Sequence, residues 1–281
     1  MKPLQISIVI LSLAGVISFF MLPKVVVNNE KDSPAEKNMT SNSVRDNELN
    51  TELAEKHTVK VQDSDLNVLA DLKKQLAKAS NTEKKLIFAD SLSAYYRKLQ
   101  QYDSAASYKE LAAELSPNEA RWASTGDRYE EAFNFSIGDE RKVYLKKAQS
   151  YYDKVLEENP KNLEVKSKLA MTYVSGEQPM KGVGLLKEVL KDDPNNQTAI
   201  FNLGILSVQS KQFEKALERF ETLLKINPKH APAHFYKGVS YLSLGNKQQA
   251  LASFEKAKSL EKDKEFNAIV DDYIHQAEAG N

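Results

Sequence analysis

The sequence predicts an all-α fold, an α-solenoid of stacked antiparallel helix pairs, preceded by one transmembrane helix and a disordered tether. Three observations predict it. Pro160, Pro194 and Pro228 stand 34 residues apart, a spacing that holds two helices with their turns and little else. Small residues recur at fixed offsets inside that spacing. The N-terminal run is apolar and uncharged, and a polar stretch without periodicity follows it.

Residues 1–27, "MKPLQISIVILSLAGVISFFMLPKVVV", contain no charged side chain between Lys2 and Lys24. Residues 4–22 as a helix would reach about 28 Å, against a bilayer hydrocarbon core of about 30 Å. The run is longer than a usual signal-peptide core and no Ala-x-Ala follows it, so an uncleaved membrane anchor is expected, with a cleaved signal as the alternative. Lys24, Lys31 and Lys37 downstream face only Lys2 upstream, so the positive-inside count leaves orientation open. The signal-like character places the repeats outside the cytoplasm, on a single-pass protein of a bacterial inner membrane. Residues 28–65 carry few large apolar side chains and many Asn, Ser, Lys and Glu; such a composition buries too little surface to offset chain entropy. It reads as a flexible linker with a mean span on the order of 35 Å.

The totals narrow the function. Lys and Arg number 39 against 39 Asp and Glu, and this balance argues against a nucleic-acid partner, which calls for a basic excess. The absence of cysteine removes thiol catalysis, disulfides, Cys-based zinc sites and a lipid-attachment cysteine.

Helical periodicity starts at Leu66. Twelve residues before Pro117, Pro160, Pro194, Pro228 and Lys262 stand Ala105, Ala148, Gly182, Ala216 and Ala250. Tyr152, Leu186, Phe220 and Phe254 follow four residues after the last four of these, and Ala112, Val155, Val189, Leu223 and Ala257 close each second helix. Offsets of four and three return to one side of a helix, so each second helix presents a small, a large and a medium residue on one face. The first helices repeat a small residue too, at Ala170, Gly204 and Gly238. We expect these to face Gly182, Ala216 and Ala250 where the paired helices approach closely.

These residues resemble the tetratricopeptide repeat, whose unit of about 34 residues carries small residues within both helices, an aromatic and a closing proline. The resemblance covers residues 83–264, with clear units at 163–196, 197–230 and 231–264. Lys262 replaces proline in the last of these and Lys237 replaces the usual leucine. Lys109 takes the aromatic's place beside Tyr108. The unit ending at Pro160 has about nine extra residues, placed around "NFSIGDER", where longer helices or a bulging loop are expected. The array is thus read as residues 66–264 with about five units. Residues 265–281 form a capping helix with Phe266, Ile269, Val270, Tyr273 and Ile274 on one stripe, and "SNTE" has the Ser80-x-x-Glu83 spacing of a capping box.

Catalytic signatures are absent: there is no phosphate-loop motif, no H-E-x-x-H, no G-x-S-x-G and no EF-hand loop. His230 and His234 are four apart but straddle Pro232, and no third ligand is obvious; Gly182 and Gly184 belong to the repeat pattern. No enzyme, metal or cofactor is expected. What the resemblance implies is a groove for a partner's peptide or helix, lined by the first helices. At the matching positions stand Glu164, Ser167, Met171 and Val174, then Thr198, Phe201, Ile205 and Val208, then Pro232, Phe235, Val239 and Leu242, with Asn202 and Tyr236 as hydrogen-bonding groups. Either these line an apolar groove or they pack against the neighbouring pair; both readings stand at this point. The expected function is a non-catalytic, membrane-tethered scaffold for protein–protein interaction, the alternative a self-associating assembly factor of the cell envelope.

Overall fold

The computed structural model describes residues 61–279. The expected membrane segment at 1–27, and residues 28–60 of the expected linker, lie outside the described residues; residues 63–65, also expected in the linker, are helical instead, with Asp65 accepting the Tyr95 hydroxyl. Among the described residues there are twelve helices and no strand. None of these helices is long and apolar enough to cross a membrane. Two compact units divide the chain, the first ending at Tyr108 and the second starting at Lys109.

In the first unit, α1 (Asp63–Lys78) and α2 (Thr82–Lys98) precede the first half of α3 (Tyr102–Leu115). Leu69, Leu92, Tyr96, Leu99 and Ala105 form the core. Tyr96 stacks on Tyr108 at 5.5 Å, so Tyr108 supplies the ring that Lys109 cannot. The cap of α2 differs from expectation by one residue. Asn81, not Ser80, is the N-cap, its Oδ1 accepting the Lys84 N–H at 2.9 Å. Either residue type can satisfy an orphan amide there; the backbone turns helical at Thr82, which puts Asn81 in the capping position.

The second unit continues with α4 (Glu119–Phe135), α5 (Glu140–Glu158), α6 (Leu163–Val174), α7 (Pro179–Asp192), α8 (Gln197–Gln209), α9 (Phe213–Ile226), α10 (Ala231–Ser243), α11 (Lys247–Leu260) and α12 (Lys264–Ala279). By itself it is a helical-repeat solenoid. Each helix packs on its chain neighbours, and the first helices also touch in series, α6 on α8, α8 on α10 and α10 on α12. The extra residues before Pro160 lengthen the helices: α4 and α5 have 17 and 19 residues, whereas α8 and α9 have 13 and 14.

Four first helices of the second unit open as α2 does. Asn118, Asn162 and Asn196 accept the N–H of Arg121, Val165 and Ala199 at 2.9 to 3.0 Å. His230 does the same through Nδ1 for Ala233 at 3.1 Å. An acceptor there satisfies one orphan helix amide, a stabilisation of about 1 kcal/mol. The turns into α9 and α11 each need a left-handed residue, supplied by Lys211 at φ 57° and Gly245 at φ 77°; only glycine does so without steric cost.

Ala148, Ala216 and Ala250 are fully buried, yet the glycines of the first helices meet something other than the expected alanines. The atoms nearest a Cβ built on Gly204 belong to the Phe220 ring, at 2.5 Å, and those nearest Gly238 belong to Phe254, also at 2.5 Å. Gly126 receives the Tyr152 ring in the same way. A small residue in the first helix is therefore the seat of the large ring of the second. The unit at 163–196 has Leu186 where the others have a ring, and its paired helices do meet at their small residues: a Cβ on Gly182 would overlap the Ala170 carbonyl oxygen.

Candidate partner-binding groove

The ten residues singled out for a groove divide by burial. Ile205, Val208, Phe235, Tyr236 and Val239 are buried, whereas Met171, Val174, Phe201, Asn202 and Leu242 are half-buried. Among the other matching positions Glu164 and Thr198 are exposed, Pro232 is half-buried and Ser167 is buried. The packing alternative therefore describes the five buried residues, and Phe201 and Met171 share in it through neighbouring rings and the adjoining core; the groove reading is confined to the surface the half-buried residues keep open.

The reason is a ladder of rings running from repeat to repeat. Phe201 of α8 meets Phe220 of α9 at 6.1 Å, the His230 ring at 4.9 Å and Tyr236 of α10 at 5.8 Å. Phe220 stacks on Tyr236 at 5.9 Å. One repeat later Phe235 meets Phe254 of α11 and then Phe266 and Tyr273 of α12, at 5.9, 6.1 and 5.1 Å. Phe201, Phe235 and Tyr236 thus hold one pair against the next, and the capping helix repeats the arrangement at the C-terminal end. Lys237, the departure from leucine, turns outward to Glu221 Oε1 at 3.2 Å and lies over the Tyr241 ring.

His230 and His234 each bond to nearby backbone. Burial pushes the His230 imidazole below its ordinary pKa, which favours the neutral ring, and the Ala233 amide that donates to Nδ1 selects the tautomer with its proton on Nε2. His234 Nε2 lies 3.0 Å from the Pro228 carbonyl. Among the described residues no group of three or more His, Cys, Asp or Glu is placed to hold a metal ion.

The sequence reading missed two polar networks on α3 to α6. In one, Glu110 accepts Lys147 Nζ at 2.7 Å, Tyr151 at 3.1 Å and Tyr129. Burial pushes the Glu110 carboxyl up, but these donors together outweigh it and hold its pKa below the usual value. In the other, the Tyr152 hydroxyl lies 2.9 Å from Asp127 Oδ1 and 2.8 Å from Glu130 Oε2. Lys168 Nζ reaches both Asp127 oxygens, at 2.9 and 3.1 Å. One phenol hydrogen faces two carboxylates, and the ammonium is bound to Asp127. Burial, reinforced by the Asp127 charge, pushes Glu130 up to about 7.

A pH prediction follows from Glu130. Its folded pKa lies above the unfolded value of about 4.3, so the folded state holds the extra proton. The stability this gives is full below the unfolded pKa and is lost as pH rises through about 7. Urea denaturation at pH 5 and pH 8 should show the wild type weaker at pH 8. Glu130→Gln, which keeps a donor toward Tyr152, should remove most of that difference; an unchanged pH slope in the variant would dismiss Glu130 as its source.

No curated protein matches this chain. Among solved structures, the crystal structure of MamA protein is similar at 17% identity and a TM-score of 0.47, over 65% of this chain and 95% of that one. MamA 41-end from Desulfovibrio magneticus RS-1 is similar at 17% identity and a TM-score of 0.48, over 64% and 97%. The family model of the tetratricopeptide repeat matches residues 177–234 and again residues 207–270, so that the stretch from the α6–α7 turn into the capping helix carries tetratricopeptide repeats.

Proposed function

We propose that the chain is a non-catalytic scaffold, tethered to a membrane by residues 1–27, whose first-helix face docks a peptide or helix of a partner protein. The observation that carries this reading is the access to solvent kept by Met171, Val174, Phe201, Asn202 and Leu242 at groove positions of three consecutive repeats. A face that met only water would be polar; a partner helix or extended segment accounts for the apolar surface that packing leaves open here. No nucleic acid, metal or cofactor enters this reading.

The test is a crosslinking capture with the full chain and with Met171→Glu combined with Leu242→Glu. Both side chains are half-buried, so the charges can reach water and the fold should survive. We expect the helical signal to be unchanged and the captured partner to fall by at least about tenfold, the effect of some 1.4 kcal/mol. Capture at the wild-type level would remove the groove. Phe235→Glu is unsuited to this purpose because it would bury a charge. A reporter fused after Asn281, assayed for accessibility in intact cells, reads the side of the membrane.

A second reading, self-association, is favoured by apolar side chains at one edge of the second unit. Phe135, Ile137 and Val143 around the α4–α5 turn are 45%, 72% and 53% exposed, and Met180 at the start of α7 is 75% exposed. The exposed Lys142–Glu177 ion pair at 3.5 Å places the first turn of α5 beside the turn that leads into α7. A mass that rises with protein concentration, and stops rising in Ile137→Asp, would select this reading over a monomeric scaffold.

A further inference from the structure

A cavity of about 290 Å³ opens where the end of α3, the start of α4 and the end of α5 converge, lined by Ala113, Glu114, Pro117, Trp122, Tyr151, Lys154, Glu157 and Glu158. Trp122 is the only tryptophan of the chain. The Tyr151 hydroxyl donates to Glu110 at 3.1 Å, which fixes its ring as one wall. Lys154 Nζ lies over that ring, 4.6 Å from its centre; the wall already holds a cation. Glu114, Glu157 and Glu158 are exposed, and no ion pair of the described residues involves them. Three carboxylates and one ammonium therefore line the cavity beside two aromatic rings, which leaves the lining with an excess of negative charge.

We infer that this cavity is a binding site for a cationic side chain of a partner protein, specifically an arginine. The volume falls at the small end of ligand pockets, which run to about 300–1,000 Å³, and suits one long side chain. A planar guanidinium can lie on an indole or phenol face while its fork of N–H groups takes two carboxylates, which a compact ammonium does not do. The incoming cation would displace Lys154 from Tyr151 and neutralise the excess of Glu114, Glu157 and Glu158. The site lies on α3 to α5, apart from the groove positions on α6, α8 and α10, so its test is independent of the groove reading.

Trp122 reports on the cavity directly. Titrating the full chain with acetyl-Ala-Arg-Ala-amide should give a saturable change in tryptophan emission. The same peptide with citrulline, uncharged and nearly isosteric, should give none. Glu157→Gln with Glu158→Gln replaces two exposed side chains, a change the fold should tolerate and circular dichroism checks; it should weaken arginine binding at least about tenfold through loss of charge-assisted hydrogen bonds. An equal response to citrulline, wild-type affinity in the double variant, or a flat arginine titration would each overturn the assignment.

Discussion

Phe220→Ala should be among the most damaging single substitutions in the second unit, costing about 3–5 kcal/mol in urea denaturation. The ring is fully buried, touches Phe201 and Tyr236 and sits on Gly204. Its removal leaves a cavity shared by two repeats, and the surrounding helices can close it only by shifting along the stack. The seat makes the effect diagnostic. In the wild type, Gly204→Ala drives a methyl group into the Phe220 ring and should destabilise. In the Phe220→Ala background the obstruction is gone, and the same change should be neutral or favourable through helix propensity. That reversal of sign in a double-mutant cycle would identify ring-on-glycine packing; additive effects would show that the two residues do not meet.

Helix α7 offers a comparison within two residues. Gly182→Ala places a methyl group against the Ala170 carbonyl oxygen, a backbone atom that cannot rotate away, so α6 and α7 must part. The expected cost is about 1–3 kcal/mol, net of a propensity gain near 1 kcal/mol. Gly184→Ala meets nothing within 4 Å and should stabilise by up to about 1 kcal/mol. Thermal melts of the two variants should move in opposite directions. A shared direction would mean that glycine at 182 answers to something other than close approach.

The helix pairs were legible because the repeat writes its packing in local spacing: Ala216, Phe220 and Leu223 lie three and four residues apart and all three are buried. The groove was legible only in part. Phe235, Val239 and Leu242 share one helix face by spacing, yet Phe235 is covered by Phe266 and Tyr273 of α12, whereas Leu242 keeps contact with water. Periodicity assigns a face; it does not say which length of that face a later element covers. The Glu130 network was invisible for a related reason, since its members come from α4, α5 and α6. Its one sequence signal was Tyr152, a phenol at a position where Phe220 and Phe254 need no partner, which calls for a hydrogen-bonding group nearby.

The second unit is held by contacts between chain neighbours and the element just beyond, without any strand or helix that ties distant segments together among the described residues. Such an object resists stretching in series, not in parallel. Drawn out from its C-terminal end, it should give a sawtooth of small force peaks, one for each hairpin that peels away, while the hairpins not yet reached keep their shape.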